Sequence, residues 1–349
     1  MAAMKAYQLV ARQRPPELRD VRVPEPGPGQ VLVRIGGAGA CHSDLHLMEW
    51  PEGTMPFELP FTLGHENAGW IEALGPGVES WRSGDPVAVY GPWGCGRCRE
   101  CRQSRETLCE RQSVLGAYGG GLGRDGGMAE YMLVPDARLL VGLGDLDPRD
   151  AAPLTDAALT PYHAIKRSLH LLGPGSTAAV IGVGGLGHMA VQILRALTPA
   201  RIVAVDVASD KLRLAREVGA HEVVESGAGA TEALRELTGG LGAQVVLDFV
   251  GADATMALAA QSVRMGGDVA IVGLAGGVLQ YQFGAVAFDA TITIPYWGTA
   301  IELMEVLELA RQGTIRAHVE HFSLDHVDQA YARMREGSLD GRAVVCPNG

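Results

Sequence analysis

The pattern of apolar and polar positions changes character near Pro161. Before it, glycine and proline interrupt the chain at close intervals, and the segments between them are short. The runs Gln30–Ile35, Asn67–Leu74, Pro86–Tyr90 and Met128–Val134 predict short strands joined by long loops. From Ser176 onward, apolar strand segments alternate with stretches of helical period. Strands are predicted at Thr177–Gly182, Arg201–Asp206, His221–Glu225, Gln244–Phe249, Asp268–Gly273 and Thr291–Ile294. Helices are predicted at Leu186–Leu197, Asp210–Val218, Thr231–Leu237 and Thr255–Val263, with Ser209 as an N-cap and Gly219 as a C-terminal stop. Regular β–α alternation predicts a parallel, doubly wound sheet and an α/β fold class. A further helix near Ala300–Arg311 precedes a last strand, Arg342–Cys346, expected to return to the first domain. The expected boundaries are 1–157 for the β-rich domain, 158–295 for the doubly wound domain and 296–349 for the returning segment.

Composition adds constraints. A chain of 349 residues exceeds what one core usually organises, which favours two domains. A net charge of −11 gives no electrostatic reason to expect nucleic acid or an anionic membrane as partner. The least polar stretch, Thr177–Leu194, holds His188, Gln192 and four glycines, a pattern suited to a buried strand–turn–helix and not to a membrane span. The N-terminal MAAMKAYQLV lacks the apolar core of a secretory signal. Cysteines 95, 98, 101 and 109 lie close together, a density that points to metal more than to disulfides and to a cytoplasmic location.

Gly182, Gly184 and Gly187 form G-x-G-x-x-G at the end of a predicted strand and the mouth of a helix. Glycine there permits the tight turn, the approach of a pyrophosphate and close helix–sheet packing, while the helix N-terminus offers N–H groups to phosphate. Asp206 ends the next strand, 19 residues after Gly187. A carboxylate there accepts from a ribose hydroxyl and repels a 2′-phosphate, favouring NAD over NADP.

Two groups of residues have the chemistry of metal ligands. Cys95, Cys98, Cys101 and Cys109 follow C-x₂-C-x₂-C-x₇-C, which suits a closed tetrahedral zinc site of structural type. Redox-active C-x-x-C pairs and an iron–sulfur loop are the alternatives. Cys41, His65 and Asp156 are dispersed, and buried cysteine and histidine are common for other reasons. Their context singles them out: Cys41 opens CHSDLH after a strand, and His65 lies in GHENAGWIEALGPGV. Three ligands with one exchangeable position would make a catalytic zinc site.

With these motifs in order, the chain resembles the zinc-dependent medium-chain alcohol dehydrogenases over essentially its whole length. The family's zinc signature G-H-E-x-x-G-x(5)-G-x-x-V runs from Gly64-His65-Glu66 through Gly69 and Gly75 to Val78. The four-cysteine loop and the G-x-G-G-x-G turn, including Gly185, follow in the family's order. The segments YGPWGCG and LTDAALTPYHAI are most similar to bacterial secondary-alcohol dehydrogenases. The resemblance implies a GroES-like catalytic domain, a Rossmann nucleotide-binding domain, one catalytic and one structural zinc, and NAD.

It also implies residue roles. Cys41, His65 and Asp156 bind the catalytic zinc; Asp156 departs from the cysteine that many relatives carry there. Glu66 approaches the metal when water leaves, with a salt bridge as its plainer role. Asp44 orients the zinc-bound histidine. Ser43 and His46 form a proton relay, since imidazole titrates near physiological pH. Thr160 lies near the nicotinamide and Leu186 packs behind its ring. Lys211 contacts the adenosine ribose, Arg342 contacts the pyrophosphate, and His42 and Val272 join the cofactor contacts. Phe57, Trp93, Leu122, Tyr296 and Trp297 line a substrate pocket that favours hydrophobic or aryl groups.

The reaction implied is alcohol + NAD⁺ ⇌ ketone or aldehyde + NADH + H⁺, on a small-molecule substrate, in a homodimer or homotetramer. A polyol or amino-alcohol dehydrogenase on the same scaffold would need polar groups converging on the substrate. A non-catalytic NAD(H)-binding redox sensor would explain the cysteine loop and glycine turn but not an open zinc site.

Overall fold

In the computed structural model, which describes residues 2–349, the predicted strands of the first half assemble around Val31–Gly39. Every residue of this strand but Arg34 is buried, and it bonds to Glu66–Leu74 along one edge. The sheet continues through Pro86–Val89 to Leu140–Gly142, while Tyr131–Val134 pairs with the first part of Val31–Gly39. On the other side it takes up Arg342–Cys346 and then Val319–Ser323. A second small sheet orders Glu17–Arg22, Ala3–Leu9 and Phe61–Thr62. These strands, with residues Thr299–Gln312 and Ala317–Gly349, form one compact unit with Met1–Ala157.

The second unit comprises Ala158–Gly298 and Gly313–Arg316. Its six strands, all parallel, run in spatial order Glu222–Glu225, Arg201–Asp206, Thr177–Ile181, Ala243–Asp248, Val263–Ile271, Thr291–Thr293. Thr177–Ile181 is buried throughout, as a central parallel strand covered on both faces must be. The chain direction of assembly reverses between Thr177–Ile181 and Ala243–Asp248, the switch point where such sheets open a crevice. Among the described residues, no helix is long and apolar enough to cross a membrane.

Most elements differ from their predicted bounds by a residue or more, and for three the local bonding is informative. The strand expected from Met128 begins at Tyr131, because Met128 already bonds to Leu63 and Tyr7 through its backbone. The helix expected at Asp210–Val218 with Ser209 as its N-cap opens one residue earlier, at Ser209, after Ala208, whose N–H donates to Asp206 Oδ1 at 3.0 Å. The strand predicted at Asp268–Gly273 begins at Val263, directly after the helix Asp253–Ser262.

Candidate active site

Cys41 follows the strand Val31–Gly39 and N-caps the helix His42–Glu49. Asp44, three residues into that turn and fully buried, accepts the Cys41 N–H on Oδ2 at 2.9 Å. The neighbouring strand pairs Glu66 with Gly39, so His65 and Glu66 arrive beside Cys41. Asp156 comes from the end of the short helical turn Ala152–Thr155. Ligand atoms of Cys41, His65, Glu66 and Asp156 all lie within 4.8 Å of one another.

Within this cluster each side chain has a defined partner. His65 Nδ1 faces Asp44 Oδ1 at 3.0 Å and Nε2 faces Asp156 Oδ2 at 3.6 Å. With a carboxylate at Nδ1, the proton belongs on that nitrogen, and Nε2 is left for a metal. Arg342, buried, donates from Nε to Glu66 Oε2 at 3.0 Å and from Nη2 to the other oxygen, and lies 3.9 Å from Asp156. An alanine Cβ at Gly39 would sit 1.8 Å from Glu66 Oε2, so only glycine lets this carboxylate lie over the strand.

Burial and neighbouring charges act against each other on these groups. Burial raises the Cys41 thiol, but Arg342 and His65 outweigh it and bring it down to about 7. Burial works against charge on His65, yet Asp44 and Asp156 draw it well above its ordinary value. Burial lifts the Glu66 carboxyl above its usual range against the pull of Arg342. One thiolate, one imidazole and one carboxylate make good zinc chemistry. Glu66 is held by Arg342, so Cys41, His65 and Asp156 are the residues that could hold an ion.

Cys95, Cys98, Cys101 and Cys109 bring their sulfurs within 4.8 Å of one another, and none is in a disulfide. Backbone N–H groups point at the sulfurs: Cys95 N at Cys109 Sγ (3.3 Å), Cys98 N at Cys95 Sγ (3.4 Å) and Arg111 N at Cys109 Sγ (3.4 Å). The Arg97 N–H pulls the Cys95 thiol down to about 6. Four such donors close a tetrahedral site with no open position. Arg138 ties the loop down, bonding Glu106, the Gly94 carbonyl and Asp136.

In the second unit, Gly182 ends Thr177–Ile181 at φ +84°, and Gly187 opens the helix Gly187–Leu197. A Cβ at Gly187 would lie 1.9 Å from the Gly182 carbonyl oxygen, whereas Gly184 faces open space. Asp206 accepts Val183 N–H on Oδ2 at 2.7 Å and Ala208 N–H on Oδ1, which aims its carboxylate across the turn.

Residues 27–145 match the alcohol dehydrogenase GroES-like domain, and residues 185–312 match the zinc-binding dehydrogenase domain. The chain is 35% identical over 351 residues to D-arabinose 1-dehydrogenase (NADP(+)) of Saccharolobus solfataricus, covering 99% of each. It is also 35% identical to the NAD-dependent alcohol dehydrogenase of Sulfurisphaera tokodaii, covering 99% of this chain and 100% of that one. The crystal structure of the Aeropyrum pernix alcohol dehydrogenase superposes with a TM-score of 0.90 at 37% identity, over 98% of this chain and 100% of that chain. The chain belongs to the zinc-dependent medium-chain alcohol dehydrogenase family. Its GroES-like and Rossmann folds are those of the family, and its two ligand clusters match the family's structural and catalytic zinc sites.

The remaining expected site residues of this dehydrogenase fall as follows. Ser43 Oγ lies 3.6 Å from Cys41 Sγ, and His46, one turn along the same helix, stacks on Trp50 with ring centroids 5.9 Å apart. His42 is exposed on the first turn. Phe57 and Leu122 are buried in the first unit, Phe57 edge-on to Phe61 and Tyr118, while Trp93 Nε1 donates to the Tyr90 carbonyl at 3.0 Å. Tyr296 and Trp297 belong to the second unit and meet edge to face. Thr160 is buried on the helix Leu159–Arg167, and Leu186 precedes Gly187 as the helix N-cap. Val272 donates its N–H to the Asp248 carbonyl at 2.8 Å, and Lys211 Nζ lies 3.9 Å from Asp210.

Arg342, which the resemblance assigns to a pyrophosphate, is buried here against Glu66, where a carboxylate in a dry position requires a paired cation. Tyr331, in the helix Val327–Arg335, has no motif to mark it. Only the buried spacing Val327, Ala330, Tyr331, Met334 shows that it faces inward.

Proposed function

We propose that this protein is an NAD-dependent zinc alcohol dehydrogenase that interconverts a secondary, hydrophobic or aryl-substituted alcohol and its ketone. The observation that carries this reading is the Cys41–His65–Asp156 donor set, buried at Cys41 and His65 and partly open at Asp156, with Glu66 held by Arg342 and Ser43 beside the first ligand. When bound, zinc supplies a Lewis acid for the substrate oxygen and NAD the hydride acceptor.

The chain's own residues position and deprotonate. Asp44 holds the His65 ring with Nε2 directed into the cluster. Ser43 Oγ takes the hydroxyl proton of the alcohol as it releases its own outward, and His46, at i+3 on the same helix face, accepts that released proton and passes it to solvent. Asp206 selects the adenosine ribose of NAD, with Lys211 beside it, and the Gly182–Gly187 turn receives the pyrophosphate. Thr160, Leu186 and Val272 border the nicotinamide end, and Phe57, Trp93 and Leu122 offer apolar contacts to the substrate. We further infer a cytoplasmic homodimer or homotetramer, the clustering of Cys95, Cys98, Cys101 and Cys109 as a metal loop suiting a reducing compartment. A sugar substrate is the second reading, favoured by the name of the Saccharolobus solfataricus relative.

An NAD⁺-reduction assay over primary, secondary, aryl and polyol alcohols and aldoses tests both. Turnover is expected to be fastest with secondary or aryl alcohols; aldose preference supports the second reading, and NAD(H) binding without turnover on any substrate overturns both. In the same assay Ser43→Ala is expected to lose about 100-fold in kcat, the scale of one general acid–base group, with zinc content unchanged. Wild-type turnover in that variant removes the serine from the relay.

A further inference from the structure

We propose that Tyr331 is a positioning residue of the catalytic zinc site, acting through Asp44 on His65 and Cys41. Its phenol, 2% exposed, donates to Asp44 Oδ2 at 3.0 Å across a separation of 287 residues. Met128 Sδ lies at 3.1 Å from the same hydroxyl, but the phenol has one proton and a buried carboxylate accepts it far better than a thioether.

Asp44 thereby receives three donors from three separate segments: His65 Nδ1 on Oδ1, and Cys41 N–H and Tyr331 O–H on Oδ2. Two of those donors belong to zinc-ligand residues. The carboxylate therefore sets the ring plane of His65 and the backbone entry of Cys41 together. The third donor comes from a helix that supplies no ligand, and its place in the cluster is to fix the carboxylate plane. The Tyr331 hydroxyl adds a second donor on Oδ2 and so holds the carboxylate plane more firmly than His65 and Cys41 do by themselves. The ring of Tyr331 is held independently, stacked on Tyr7 with centroids 6.2 Å apart and planes at 22°. Removal of the hydroxyl alone should therefore leave the packing in place.

The proposal rests on the zinc reading of Cys41, His65 and Asp156, and the four-cysteine site supplies an internal control in the same chain. The experiment follows zinc release from the purified holoprotein into a chromogenic chelator, for wild type and Tyr331→Phe. The variant is expected to lose the zinc of the Cys41 cluster about 10-fold faster, the lower end of the effect of outer-sphere partners on metal affinity, and the zinc of the cysteine loop at the wild-type rate. Cobalt exchanged into the Cys41 cluster should show shifted visible bands in the variant. In an Asp44→Asn background, Tyr331→Phe is expected to change release less than about 2-fold, because the two residues act as a unit. Equal acceleration of both zinc ions, or no acceleration with an unchanged cobalt spectrum, overturns the proposal and leaves Tyr331 a packing residue. A wild type that binds zinc only at the cysteine loop overturns the zinc reading itself, a result distinguishable before any variant is made.

Discussion

Asp248 closes the strand Ala243–Asp248 with its carboxylate fully buried. Oδ1 accepts from Val250 N at 2.9 Å and Gly251 N at 3.0 Å, whereas Oδ2 has no hydrogen-bond partner among the described residues. Burial raises this carboxyl above its ordinary value, and the two N–H donors and the Thr255 side chain only partly oppose it. A raised carboxyl pKa means the folded state binds the proton more tightly than the unfolded chain does. Stability is then greatest below the unfolded value and declines as pH rises through the folded value. Asp248→Asn keeps an acceptor for Val250 and Gly251 without the charge. It is expected to melt higher than wild type at pH 7, by about 1 kcal/mol, the low end of the cost of an unsatisfied buried group, with the advantage fading toward pH 4. Thermal melts across that range check it; a difference independent of pH contradicts the account. Nothing about Asp248 stands out in the sequence, since an aspartate at a strand end is ordinary until its second oxygen is found enclosed.

Elements were legible where a repeating period acts over many residues. The helix Ala300–Arg311 and the strand Arg342–Cys346 have the predicted bounds, the former with Thr299 Oγ1 accepting the Glu302 N–H at 3.1 Å as its cap. Periodicity misjudged the entry to Ser209–Glu217, where a side chain outside the helix, Asp206, closes the turn a residue early. The strand–turn–helix of Thr177–Leu197 makes a sharper test of element geometry. Gly187→Ala would set a methyl against the Gly182 carbonyl, so the helix must withdraw from the strand end. NADH binding is expected to weaken about 10-fold or more, equivalent to 1.4 kcal/mol, with zinc content unchanged. A fluorescence titration with NADH checks it, and wild-type affinity would show that the turn tolerates the added carbon.

At the scale of the whole molecule, both zinc clusters lie in the unit built on Met1–Ala157, and the glycine turn lies in the other. Chelation is therefore expected to abolish turnover and lower the melting temperature, restorable by zinc, while NADH binding persists. Loss of NADH binding on chelation would count against this division. The cysteine loop and the glycine turn were readable from residue types and spacing because each is assembled from neighbours along the chain, where spacing itself dictates geometry. Alternating periods likewise determined the parallel sheet. The catalytic cluster is different: Cys41, Asp44, His65, Glu66, Asp156, Tyr331 and Arg342 meet only because the sheet places Arg342–Cys346 beside Val31–Gly39 and the helix Val327–Arg335 packs on Arg342–Cys346. Spacing carries no information about partners that far apart, so the resemblance could name the ligands, but the pairing of Arg342 with Glu66 and of Tyr331 with Asp44 was decided by strand order and burial. Once water was excluded there, each charge had to find its counterpart within the fold.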